Sequence, residues 1–162
     1  MRFFRAFVSA VALAMALAAG SAAGAAPTPP PPDPALTALP AQMIAALLAD
    51  DVVALRAHCA ASTTVVDEFA PYSWSGPDAC VRWSAAFKTF AAQLKLTGFK
   101  GTIAPMPFTD VSGSHGYITA KVTLHAMLSG KPISEQGTWA FVAAKAGTGW
   151  KITSVAWGTL HH

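Results

Sequence analysis

Tyr117-Ile118-Thr119-Ala120-Lys121-Val122-Thr123-Leu124-His125-Ala126-Met127 alternates without a break. Ile118, Ala120, Val122, Leu124 and Ala126 fall on one side, and Thr119, Lys121, Thr123 and His125 on the other. A period of two marks a strand with one face buried and one face in water. Such a strand needs neighbours, and both flanks supply them. Upstream, Thr102 to Val111 carries Pro105 and Pro107, which fit only an edge position because proline has no amide to donate. The run Ser112-Gly113-Ser114-His115-Gly116 lacks the Lys of a phosphate-binding loop and reads as a hairpin turn. Downstream, Ser129-Gly130-Lys131-Pro132 turns the chain. Ser134 to Ala144 follows, with Gly137, Trp139, Phe141 and Ala143 on one face. Gly147-Thr148-Gly149 makes the next turn, and Trp150 to Leu160 is the last strand. The second half is therefore an antiparallel meander.

The stretch before it starts helical. Met43, Ile44, Leu47 and Leu48 share one helical face, with Pro40 suited to the first turn. Asp50 is placed to cap a second short helix whose apolar positions are Val52, Leu55 and Cys59. Thr63 to Phe69 is rich in β-branched residues and predicts a strand. Gly76-Pro77-Asp78 opens a third, longer helix. Trp83, Phe87, Phe90 and Leu94 then share a face, and Gly98 and Gly101 close this part. Helices first and a meander after predict an α+β fold, with one strongly bent sheet wrapped over the helices.

The chain has 162 residues, 53% hydrophobic and only 12% charged. That excludes a disordered chain and leaves room for one main core. Residues 1–25 read as a secretory signal peptide. Met1-Arg2-Phe3-Phe4-Arg5 is a basic start, Ala6 to Ala19 carries no charge, and Ala23-Gly24-Ala25 suits cleavage. The apolar run, about 14 residues, is shorter than the roughly 20 that span a bilayer. The expected location is periplasmic or secreted. Residues 26–35, with Pro29-Pro30-Pro31-Pro32, read as a semi-stiff proline-rich linker. Residues 36–160 form the domain. Arg2 and Arg5 account for much of the net charge of +3, so the remaining balance predicts no nucleic-acid partner. Membrane contact is expected only through an uncleaved signal peptide. Cys59 and Cys80 are the only cysteines. Export permits a bridge between them, while two separate buried thiols fit the sequence equally.

Several segments together resemble the nuclear-transport-factor-2-like superfamily, in particular its SnoaL-like and ketosteroid-isomerase-like members. These are the paired helices ending at His58-Cys59, the strand Thr64-Val65-Val66-Asp67-Glu68-Phe69, and Ser75-Gly76-Pro77-Asp78-Ala79. The others are Gly130-Lys131-Pro132, Gly149-Trp150-Lys151-Ile152 and Ala156-Trp157. The resemblance covers about Leu36 to Leu160. It implies a cystatin-like cone: a helical hairpin and a long helix packed on a strongly curved, mainly antiparallel sheet. It also implies a conical pocket between sheet and helices.

In that resemblance Asp67 matches the proton-shuttling carboxylate of the ketosteroid isomerases. Their two strong donors to the enolate oxygen are a Tyr and a protonated Asp. The matching positions here are Met43, which cannot donate, and Trp139 or a neighbour, whose indole offers one neutral N–H. Steroid-type isomerisation is therefore not expected. An acid in an aromatic pocket is what remains. The candidate ligand-binding residues are Met43, Asp67, Trp83, Phe87, Trp139 and Phe141, followed on the last strand by Thr153, Val155 and Trp157. The same rings also read as core filling, and Asp67 also reads as a strand-end capping acid. Glu68 is expected to point the opposite way, onto the surface.

Three functions fit these residues. The first is an exported small-molecule-binding protein whose apolar or aromatic ligand lies near Asp67. The second is a lyase or isomerase with Asp67 as catalytic general base. The third is a homodimeric interaction module that pairs through the face bearing Thr119, Lys121, Thr123 and His125. His58, His115, His125, His161 and His162 show no metal-binding spacing, so neither metal nor cofactor is expected.

Overall fold

The computed structural model describes residues 31–105 and 108–160. The stretch expected to be a signal peptide, residues 26–30 of the expected linker, Pro107 and the His161-His162 end lie outside the described residues. None of the described helices is long and apolar enough to cross a membrane.

Three short helices lead, α1 (Pro34–Thr37), α2 (Leu39–Leu48) and α3 (Val52–His58). The first begins inside the stretch assigned to the linker. Asp33 explains why: its carboxylate accepts the Ala35 amide as an N-cap and the Trp150 indole N–H at 2.9 Å. One side chain thus starts the helix and pins it to the last strand. The cap of α3 is Asp51, which accepts the Ala54 amide at 2.9 Å. It is not Asp50, which adopts a left-handed backbone (φ 57°) and pairs with Lys88 instead. Leu55 of α3 is buried, whereas Val52 is exposed.

Cys59 ends α3 and begins β1 (Cys59–Val66), four residues earlier than the β-branched run suggests. A short strand β2 (Ser73–Gly76) folds back on it, with Thr63 opposite Gly76 and Val66 opposite Ser73. The long helix α4 (Ala79–Gln93) follows. Asp78, at its N-cap position, makes no capping bond and pairs with Arg56 of α3. Cys59 and Cys80 are joined by a disulfide that ties β1 to the first turn of α4. Closing a loop of this size contributes about 3 kcal/mol in chain-entropy terms.

The remaining strands are β3 (Leu96–Ile103), β4 (Phe108–Ser112), β5 (His115–Leu128), β6 (Lys131–Ala146) and β7 (Gly149–Thr159). The sheet runs β2-β1-β7-β6-β5-β3, with β4 also on β5. Every neighbouring pair is antiparallel except β1 with β7. Gly98 and Gly101, expected to end the helical part, lie within β3. Gly101 is needed there for close approach: a Cβ would stand 1.9 Å from Ile44 Cδ1 of α2. Register shifts interrupt three pairings, at Thr97/Lys100, Val142/Ala143 and Cys59/Thr64. Irregularities of this kind bend strands, and the sheet curls over α2 and α4. The inner face carries Ile118, Val122, Phe141, Ile152 and Val155, all essentially inaccessible. They pack against Leu36, Met43, Leu55 and Trp83 from the helices. The fold is α+β, a cystatin-like cone.

Candidate functional site

The core does not fill the cone. A cavity of about 70 Å³ lies between α4, the end of β1 and the inner face of β5–β7. A water needs roughly 10–15 Å³ of such space and a benzene ring about 150 Å³, so the enclosed part has room for a few waters or a small head group, and a ring would extend toward the mouth of the cavity. The floor is formed by the buried indoles of Trp83 and Trp139. Phe87 and Phe90 of α4, with Phe69 after β1 and Phe99 of β3 packed against them, form one wall, and Leu124, Ile133 and Trp157 the other.

Asp67 is set into this wall. β1 stops at Val66, and the next three residues leave the strand's alternation. Asp67, Glu68 and Phe69 therefore all reach the cavity, and Glu68, expected to face away, stands exposed at its rim. Trp83 Nε1–H donates to Asp67 Oδ2 at 2.7 Å, and the Glu68 amide donates to Oδ1 at 2.7 Å. Burial outweighs these two bonds and pushes the Asp67 carboxyl up to about 6, with the neighbouring Glu68 charge adding to the rise. The result is a carboxyl fixed in orientation yet close to its titration point at neutral pH.

A second acidic group stands beside it. Glu135 of β6 is half-buried on the cavity wall. Thr159 Oγ1 lies 3.1 Å from Glu135 Oε1, also contacts Glu68 Oε2, and accepts the Trp157 indole N–H at 3.0 Å. A hydroxyl has one proton to donate, so it satisfies only one of the two carboxylates at a time. Burial, and then the Glu68 charge, push the Glu135 carboxyl above its ordinary value. Sequence reasoning missed Glu135, although its signal was present. It lies in phase with Gly137, Trp139, Phe141 and Ala143, which puts an acid on the inner face of the strand.

Of the candidate ligand-binding residues, Asp67, Trp83, Phe87, Trp139 and Trp157 meet at the cavity. Met43, Phe141 and Val155 do not. They are sealed in the core beneath it. Thr153 also departs from expectation. It sits in the register shift that pairs Val142 with Ser154 and Ala143 with Ile152, so Ile152 takes the inner position. The Thr153 hydroxyl instead donates to the Val142 carbonyl. Among the described residues no group of three or more His, Cys, Asp or Glu could hold a metal ion.

Gly137 shapes the sheet-side wall. A Cβ there would fall 2.2 Å from Trp157 Cζ2 and 2.3 Å from Cη2. The bare glycine lets the Trp157 ring lie on β6, edge-on to Trp139 with centroids 5.9 Å apart. Gly137→Ala is expected to cost about 2 kcal/mol through overpacking and to break the Trp157–Thr159 bond. Urea unfolding measures the first effect and the Trp157 indole resonance the second.

No protein-family model and no curated protein matches the chain by sequence. Solved structures do match. A nuclear-transport-factor-2-like superfamily protein from Salmonella enterica aligns over 78% of this chain and 89% of its own, with TM-score 0.64 and 14% identity. A ketosteroid isomerase-like protein from Erwinia carotovora aligns over 79% and 95%, with TM-score 0.61 and 14% identity. The CaMKII hub of S. rosetta aligns over 82% and 100%, with TM-score 0.62 and 17% identity. Identities this low carry the fold alone. The chain folds as the nuclear-transport-factor-2-like proteins do, a cystatin-like cone with a cavity opening beside Asp67.

Proposed function

We propose that this chain is an exported small-molecule-binding protein whose ligand is a compact apolar or aromatic molecule held beside Asp67. The observation that carries the reading is the cavity itself: an unfilled, ring-lined hollow with an oriented carboxyl in its wall. Cores are normally packed without voids, and a raised carboxyl in a cleft marks a functional candidate. Apolar walls with a few placed polar groups are the usual make-up of a ligand site. Export is supported by the basic, apolar and small-residue order of residues 1–25, and the Cys59–Cys80 bridge suits an oxidising compartment. A thermal-shift screen of single-ring aromatic and short aliphatic compounds tests the binding. Saturable stabilisation by at least one ring compound is expected, and a flat response across a broad panel counts against it.

One observation favours a second reading, a lyase or isomerase. A carboxyl near 6 is suited to accept a proton at neutral pH, and Trp83 holds it in place. An Asp67→Asn variant that keeps full turnover of any substrate found would remove this reading. Homodimerisation is supported by the opposite face of the sheet. There the cross-strand pair Tyr117 and Val142 and the neighbouring Phe108 are exposed. Sedimentation at micromolar concentration tests it, and a strict monomer ends it.

A further inference from the structure

We infer that the cavity selects a cation: an amine-bearing molecule with a compact apolar body, its ammonium group at the Glu68–Glu135 pair, with Asp67 next along the wall. This rests on the ligand-binding reading above and names the class of ligand. Three carboxyls converge on the cavity, and none of the residues lining it is Lys, Arg or His. Among the described residues the ion pairs are Arg56–Asp78 and Lys88–Asp50, so none of the three has a basic partner. Like charges crowded in a partly dry site repel, and burial without a counter-charge is costly. Removing water from the site would strengthen the attraction of these groups for a cation.

The rings act in the same direction. Aromatic faces are electron-rich and attract ammonium groups, the more so where water is excluded. Trp83, Trp139 and Trp157 surround the acids, and two of their N–H groups are already committed to Asp67 and Thr159. Trp157 is half-buried and keeps ring surface for a ligand, whereas Trp83 and Trp139 are almost wholly covered by their neighbours. Phe87, Phe99, Leu124 and Ile133 supply the apolar body's surroundings. An anionic ligand would meet three acids and no base. A neutral one would leave the charge imbalance unchanged.

The test uses three molecules of one shape at pH 7.5: 2-phenylethylamine, 2-phenylethanol and 3-phenylpropionate, titrated calorimetrically into the folded domain with its disulfide intact. The amine is expected to bind at least tenfold tighter than the alcohol, with the carboxylate weakest. Glu135→Gln, whose amide oxygen can still accept from Thr159, should narrow the amine-to-alcohol ratio several-fold. Glu68→Gln should act in the same direction. An alcohol that binds as tightly as the amine, or a ratio unmoved in both variants, overturns the inference and leaves the ligand-binding reading standing. If none of the three binds, the inference falls, and the ligand-binding reading is decided by the broader thermal-shift screen.

Discussion

Asp67→Asn is expected to stabilise the protein at pH 7.5 by about 2 kcal/mol and to leave it nearly unchanged at pH 4. The sign follows from the proton balance. The folded carboxyl titrates near 6, above the ordinary 3.8. Between those values the folded protein holds a proton that the unfolded chain has released. Stability therefore falls as pH rises through that window and stays lowered above pH 6. The gap corresponds to about 3 kcal/mol. Asparagine removes the charge and keeps an oxygen for the Trp83 N–H. It cannot also serve the Glu68 amide, which returns about 1 kcal/mol of the gain. At pH 4 the native aspartic acid is itself neutral and has the same shortage of acceptors, so the two proteins converge. Urea unfolding at the two pH values checks this. A variant less stable than its parent at pH 7.5 would mean that the carboxylate is well solvated.

Trp83→Phe is expected to act in the opposite direction, by about 3 kcal/mol at pH 7.5. A hydrogen bond to a charged acceptor contributes roughly 1.5–3 kcal/mol, and the smaller ring leaves a void at a buried position. The loss should shrink at pH 4.5, where Asp67 is protonated and needs the donor less. It should also shrink in an Asp67→Asn background, because the two residues form one hydrogen-bonded unit. The double-mutant cycle at pH 7.5 measures that coupling. An additive result would show that Trp83 matters only as packing.

The sheet was legible in sequence where burial is one-sided. β5 alternates over most of its length, so most of its inner residues follow from hydropathy alone. The order of elements and the acid at the end of β1 were legible for the same reason. Three features were not. Thr153 was assigned to the wrong face because the register shift opposite Val142 and Ala143 slips β7 by one residue, and a slip of one exchanges the faces. β2 has only four residues, too few to show a period. Asp50 and Asp51 are adjacent acids, and the choice of cap depends on Lys88 of α4, which takes Asp50. The candidate site divides in the same way. Its rings could be placed by spacing, but the meeting of Glu68, Glu135 and Thr159 joins three elements. Whether Met43 and Phe141 reach a hollow or fill a core depends on how deeply the cone is packed, which a linear pattern does not encode.

Ligand binding in the hollow beside Asp67 can be observed at its own side chains. The most direct measurement follows the indole N–H resonances of the five Trp residues in ¹⁵N-labelled protein during titration with 2-phenylethylamine. Trp83, Trp139 and Trp157 line the cavity, whereas Trp150 is anchored to Asp33 outside it. Saturable shifts are expected for the first three and none for Trp150. Five resonances that stay still, or that all drift together without saturation, would contradict binding there.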